Sequence, residues 1–379
     1  MDKIKICIWM NIPSHHQHFF FEALNAREDT ELAVRYYDKP LLETRQAQGW
    51  VAPELEKYAR FATVDSISEP ELREYIHIIP TFDSRGGKAL AELAVMHSLR
   101  WCHWGERTGT SFVKRVKYNL FLFKLLYRPI SRIHKRQYIG FIRDHAMIAF
   151  AQGKLAQDEL TAWGIPEHKI HILSYSVPAL PAGHNAPEIK TFANGRMVFL
   201  CCATLCERKG IIWLLQAYTS LPQEKRKKTC LVFVGSGDNS KYLKYCRENQ
   251  LVDNVFFAGS RRSDQIAGVY NSSNCFVLPT LHDGWGAVLN EAASVGMPLI
   301  STTECSAAWH LIEPGVNGFR VPIKNYVRLR EAMEFYIDHP EKITEHGCIS
   351  KQLFESFSPQ NNAGRMVAAL KNTAQNEAG

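Results

Sequence analysis

The sequence has ten cysteines in 379 residues but no Cys-x-x-Cys pair. That excludes a zinc ribbon, argues against a disulfide scaffold and suits a reducing compartment. Long apolar runs are also missing. The longest, Tyr118 to Tyr127, is interrupted by Lys124 and falls short of the ~20 residues a membrane span requires. The opening MDKIKICIWMNIPSHHQ reaches polar residues after only a few apolar ones, so it reads as a first strand rather than a secretory signal. There is no internal repeat and no low-complexity tract. Hydrophobic residues make up 46% and charged residues 22%, which leaves a globular chain and excludes disorder, collagen and coiled coil. These absences predict a soluble, cytoplasmic protein, and the length suits two domains.

Short runs rich in Val, Ile and Phe alternate with helix-period segments, the pattern of repeated β-α units around a parallel sheet. Strands are predicted at 4–9, 31–37, 75–81, 99–104, 146–149 and 170–173, then at 197–203, 231–234, 255–258, 275–278 and 298–301. Helices are predicted between them, notably at 19–26, 87–96 and 152–163. Residues 179–195, ALPAGHNAPEIKTFANG, have no apolar period and are rich in Pro, Gly and Asn. The expected organisation is therefore a doubly wound α/β domain at 1–178, a linker at 179–195, a second doubly wound domain at 196–357, and a terminal helix at 358–379 folding back on the first. Parallel sheets present ligands at the carboxyl ends of their strands, so a cleft between two such domains is expected.

The most specific local signal is CFVLPTLHDGWGAVLNEAASVGMP at 275–298: a buried strand, a glycine-bearing loop, then a helix opening near Gly286. The first amides of a helix lack intrahelical partners and carry partial positive charge, so Gly286, Ala287 and Val288 suit a phosphate oxygen. Gly284 and Gly286 permit close approach. Asp283 precedes the helix and Glu291 lies within it. A carboxylate suits a vicinal diol such as a ribose and is a poor direct ligand for phosphate.

Asp283-x7-Glu291, with Ala292-Ala293 and Gly296-Met297-Pro298 after it, resembles the acidic-x7-Glu signature of the retaining glycosyltransferases of family 4, whose fold is GT-B. Val234-Gly235-Ser236-Gly237 resembles the family's glycine turn after a strand of the nucleotide domain. Arg208-Lys209-Gly210 resembles its Lys-Gly element, and Glu313 to Phe319 its later glycine-rich turn. The resemblance implies that Lys209, with Arg208, binds the donor diphosphate, that Gly235 and the helix start at Gly286 to Val288 belong to the donor site, that Glu291 holds the ribose, and that Asp283, Gly284 and Trp285 line the sugar. The family's usual arginine five residues before the lysine is replaced by Thr204, and the first acid is Asp where Glu is usual.

In the first half, Asn11 to Leu24 resembles the Ile-Pro-Ser opening of one branch of that family. Ser14, His15 and His16, with Gln17, are read as cleft residues on a loop after the first strand. Histidines 15, 16 and 18 are not read as a metal site, because adjacent residues of an extended segment face opposite ways and no Cys or carboxylate lies at ligand spacing nearby. His103 and Glu106 fall at the end of a predicted strand. The His resembles the family's cleft histidine, suited to polarise or deprotonate an acceptor hydroxyl, or to serve as a structural hydrogen-bonding residue.

The formal charge of +7 is unevenly placed. Residues 107–143 hold ten basic residues and no acid, so the remaining chain is slightly acidic. The stretch from Lys114 to Arg143 reads either as a solvated helix face or as a patch for anionic lipid; no nucleic-acid module is visible. Together these features imply a retaining glycosyltransferase that moves a sugar from a nucleoside diphosphate sugar to a hydroxyl acceptor, lipid-linked or polysaccharide, without cofactor or metal. A nucleotide-sugar epimerase of the same fold and a catalytically silent sugar-nucleotide binder are the alternatives.

Overall fold

The computed structural model describes residues 3–47, 52–82, 85–107 and 136–378. The chain divides into two compact units, Met1–Ser176 with Pro359–Gly379, and Val177–Ser358.

In the first unit the strands are β1 (Ile4–Met10), β2 (Thr30–Tyr36), β3 (Ala59–Phe61), β4 (Ile76–Pro80), β5 (Trp101–Gly105), β6 (Ala149–Ala151) and β7 (Ile170–Ile172). They form one parallel sheet in the order β3-β2-β1-β4-β5-β6-β7. Consecutive parallel strands require crossovers, and helices such as His15–Asn25, Arg85–Met96 and Lys154–Ala162 supply them. Strand residues on both faces are buried, Ile6 and Ile8 against one helical layer and Cys7 and Trp9 against the other. This is why the strands read as continuous apolar runs rather than alternating ones.

The second unit repeats the plan with β8 (Met197–Cys202), β9 (Thr229–Val234), β10 (Val255–Phe257), β11 (Cys275–Leu278), β12 (Leu299–Thr302) and β13 (Gly318–Val321). Their order is β10-β9-β8-β11-β12-β13, again parallel. The strand order turns back between β8 and β11, the position where open α/β sheets bind ligands. All ten cysteines are unbridged, and Cys7, Cys201, Cys202 and Cys275 are buried. Among the described residues no helix is long and apolar enough to cross a membrane.

The structure differs from the sequence reading at 179–195. Residues 187–193 form a helix, with Pro187 at its first turn and Ile189 fully buried. The Ser294 hydroxyl accepts from the Leu180 amide at 3.1 Å and the Ser272 hydroxyl from the Ala186 amide at 2.9 Å. The segment is thus packed into the second unit. Its few apolar residues are too widely spaced to show a period, but Ala186, Ile189 and Ala193 are buried.

The last helix, Pro359–Ala378, belongs to the first unit. Ala363, Met366, Val367 and Leu370 join the core formed by β1, β2 and β4. The Asn362 amide donates to the Ser174 carbonyl and hydroxyl at 3.3 and 3.2 Å. Met366 is fully buried, so Met366→Ala should destabilise the protein by about 2–5 kcal/mol in urea unfolding.

Candidate functional site

The second unit gathers its polar groups where β8, β9 and β11 end. After β8 the chain makes a short turn, Glu207–Lys209, that Gly210 closes in the left-handed region at φ +69°. A Cβ at Gly210 would lie 2.0 Å from the carbonyl oxygen of Pro279, so only glycine lets this turn rest against the β11 loop. The contact is continued by hydrogen bonds: Leu281 N–H donates to the Arg208 carbonyl at 2.8 Å, and the Thr280 hydroxyl lies 3.2 Å from the same oxygen. Behind it, the Leu205 amide donates to the Ser236 carbonyl at 2.7 Å, which ties in the Gly235 to Gly237 turn after β9.

This packing brings three charged side chains together. Lys209 Nζ donates to Asp283 Oδ2 at 2.6 Å, and Arg208 Nη1 donates to Asp283 Oδ1 at 3.1 Å and to the His282 carbonyl at 2.8 Å. The Lys209 and Asp283 side chains are only 12% and 13% exposed, so this pair is far less screened than a surface bridge. The Asp283 backbone is fixed in turn, its N–H donating to the Glu304 carbonyl at 3.0 Å. Thr204 is exposed, and Arg208 is the second cation at this cluster.

Gly284, Trp285, Gly286 and Ala287 lead from Asp283 into the helix Val288–Ser294. Gly286 stands at φ +99°, and a Cβ there would lie 2.5 Å from Cys305 Sγ, so the loop needs glycine to turn into the helix at this depth. Trp285, expected beside a sugar, is instead buried: its indole N–H donates to Asn290 at 2.7 Å and its ring packs against His310 and Phe357. Its size and apolar body send it inward, where it props the loop from behind. Glu291 accepts a 2.6 Å hydrogen bond from the Tyr270 hydroxyl through Oε2. Burial pushes its carboxyl pKa up, and the Tyr270 bond offsets part of that rise.

The residues expected around an acceptor all lie in the first unit. Ser14 stands at the cap position of the helix His15–Asn25, so His15, His16 and Gln17 form its first turn rather than a loop. Helical geometry also corrects the reading of the neighbouring histidine. His18 and Glu22 are one turn apart with Nε2 and Oε1 separated by 3.4 Å, and Glu56 joins them so that the three ligand atoms lie within 4.8 Å of one another. Glu106, just past β5, is half-buried.

His103 does not fit the role of an acceptor base. It is 1% exposed on β5, its Nε2 is 3.4 Å from the Tyr138 hydroxyl, and Phe82 packs edge-on against its ring. Burial pushes its pKa down to about 3, so it is neutral at pH 7 and a weak base. It is the structural alternative that the geometry favours. The basic stretch from Lys114 lies mostly outside the described residues; of its far end, Arg143 is exposed and paired with Asp144 at 2.8 Å.

Residues 184–350 match the family described as glycosyl transferases group 1. This segment is similar to that family. The match spans Lys209, Asp283 and Glu291 in one piece. An uncharacterized glycosyltransferase of Methanocaldococcus jannaschii is 24% identical over 210 residues, 53% of either chain. The lipopolysaccharide glucosyltransferase WaaG of Escherichia coli is 26% identical over 106 residues, 28% of either chain. The chain spans about half the length, or less, of these curated relatives. Among solved structures, Anabaena HepE in complex with UDP superposes with a TM-score of 0.73 at 15% identity, covering 98% of this chain and 100% of that one. The galactosyltransferase WaaB gives 0.72 at 15% identity over 97% and 99%. These likenesses give the chain the GT-B fold, two parallel α/β units of the kind described above.

The buried histidines set a pH dependence. An unfolded His titrates near 6.5, whereas His103 and His77 are pushed down to about 3 and about 4 in the fold. Below pH 6.5 the unfolded chain binds protons that the folded one refuses, so stability is complete above that pH and is lost as pH falls. Each group contributes a slope of about 1.4 kcal/mol per pH unit. Urea unfolding at pH 7, 6 and 5 should show this loss, and His103→Gln should remove one group's share of the slope.

Proposed function

We propose that this protein is a retaining glycosyltransferase that moves a sugar from a nucleoside diphosphate sugar to a hydroxyl acceptor. The observation that carries the reading is the convergence of Lys209 and Arg208 on Asp283 at the sheet's turning point, next to the helix that bears Glu291. Two cations against one carboxylate leave a surplus of positive charge in a half-buried place. A diphosphate leaving group develops negative charge as its bond to the anomeric carbon breaks, and fixed cations there stabilise the transition state more than the ground state.

Each residue then has a distinct part. Lys209 and Arg208 bind the diphosphate, with the amides at Gly286 to Val288 beside them. Asp283 holds both cations in register and, with Gly284, borders the sugar. Glu291 accepts from the ribose diol. Arg208 does the work of the arginine that Thr204 replaces. Trp285 supports this loop from the core, and Gly235 keeps the neighbouring turn close. Anabaena HepE has been solved in complex with UDP and with UDP-glucose, which makes uridine diphosphate the first donor nucleotide to try. The acceptor is a glycan or lipid-linked hydroxyl, with attachment to an anionic surface through the stretch from Lys114 to Arg143.

Thermal shift with UDP, GDP and ADP tests the donor site first: at least one should raise the melting temperature, and none doing so would sink the proposal. With that nucleotide's sugar as donor, Lys209→Ala should lower kcat/KM by about a hundredfold or more, the scale for deleting one preorganised charge-stabilising group. A variant with unaltered turnover would remove Lys209 from the chemistry.

A further inference from the structure

Tyr270 belongs to none of the sequence motifs. It sits near the end of the helix Ser263–Asn271, is fully buried, and packs its ring 5.7 Å from that of Phe276 in β11. Its hydroxyl reaches across to a different element, donating at 2.6 Å to Glu291 Oε2 and lying 3.5 Å from the Val288 carbonyl at the start of Glu291's own helix. One phenol therefore ties its own helix to the Glu291 helix at a single oxygen.

A glutamate side chain has three rotatable bonds, and ordering such a chain on binding costs conformational entropy. Tyr270 is held by its packed ring, so its bond removes much of Glu291's freedom before any ligand arrives. The bond engages Oε2 and not Oε1, which divides the carboxylate into one oxygen that anchors and one that can accept from outside. We infer that Tyr270 is the positioning residue that aims Glu291 at a vicinal diol, and so sets the preference of this site for ribonucleotides over 2′-deoxyribonucleotides. The inference rests on the reading of Glu291 as the diol acceptor. Burial, with Cys202 and Glu291 as neighbours, holds the phenol well above its ordinary pKa of 10, so it remains a donor throughout the neutral range.

Calorimetric titration tests this with the nucleotide among UDP, GDP and ADP that binds, paired with its 2′-deoxy form. Wild type should prefer the ribo form clearly, and Glu291→Ala should abolish that preference. Tyr270→Phe keeps the ring and deletes one oxygen; it should lose about tenfold in affinity for the ribo form while its affinity for the deoxy form stays near wild type. Tyr270→Met serves as a second variant without the hydroxyl and should shift the ratio likewise. Equal losses for both forms would reduce Tyr270 to a packing residue, and an unchanged ratio would overturn its positioning role, even with Glu291→Ala behaving as expected. A Glu291→Ala variant that still discriminates would instead overturn the diol reading, and the inference with it.

Discussion

The site of the second unit depends on Asp283 being shared. Its two carboxylate oxygens are taken by different cations, Lys209 at 2.6 Å and Arg208 at 3.1 Å, both carried on the loop after β8 while Asp283 follows β11. The cluster therefore joins two loops electrostatically where backbone hydrogen bonds already join them mechanically. Such a pairing cannot be judged by its Coulomb energy alone, since removing two half-buried ions from water costs several kcal/mol each and the attraction returns a comparable amount. What the arrangement supplies is placement. Without Asp283, Lys209 and Arg208 would repel each other beside the same loop and would be free to swing apart. With it, they stand together before an anion arrives, and the reorganisation that would otherwise accompany binding is already complete.

Topology explains why these residues meet although they are more than seventy positions apart in sequence. β8 and β11 are neighbours in the sheet, with Cys275 opposite Phe199 and Phe276 opposite Leu200, while the connection between them runs by way of β9 and β10. The loops that follow β8 and β11 leave the same edge of the sheet and have nowhere to go but alongside each other. The Gly210 turn makes that proximity a contact by allowing the backbone to touch Pro279. The helix with Glu291 then starts directly from the β11 loop, which sets the carboxylate's depth by covalent connection. Fold and site are one construction here: charge placement follows from strand order and one left-handed residue.

The sequence showed the parts of this that depend on local order. Strand–loop–helix spacing located Asp283, Glu291 and the helix start, and apolar runs located most strands. It did not show β3, a three-residue strand with Arg60 at its centre, because it lacks the apolar run that marks the equally short β7 and β10. The helix at 187–193 is too short and too polar to show a period, and the segment leading into it is held by Ser272 and Ser294, which are distant in sequence. Tyr270 was invisible as a functional residue because a tyrosine in an apolar helix reads as core, and only the fold reveals that its hydroxyl ends on Glu291. Trp285 erred the other way: its place inside a motif suggested a ligand contact, while its size decided for the interior. Spacing reports what one segment can do, and packing decides which segment faces which.

His103 and Glu291 show why burial alone does not mark a functional group. The same removal from water pushes the histidine's pKa down and the carboxyl's up, in each case toward the neutral form. The consequences differ because of what each group touches. His103 is enclosed by Phe82, Tyr138 and the sheet, so its neutrality makes it a packing and hydrogen-bonding residue with little reason to exchange protons. Glu291 is only half-enclosed, and the Tyr270 hydroxyl stabilises its charged form at one oxygen. Burial disfavours the charged form of this carboxyl, so each hydrogen bond it accepts offsets part of that penalty, as the Tyr270 bond does. A buried titratable group thus becomes a recognition element when one partner fixes it and one oxygen is left to the ligand, and a structural element when the protein encloses it on every side.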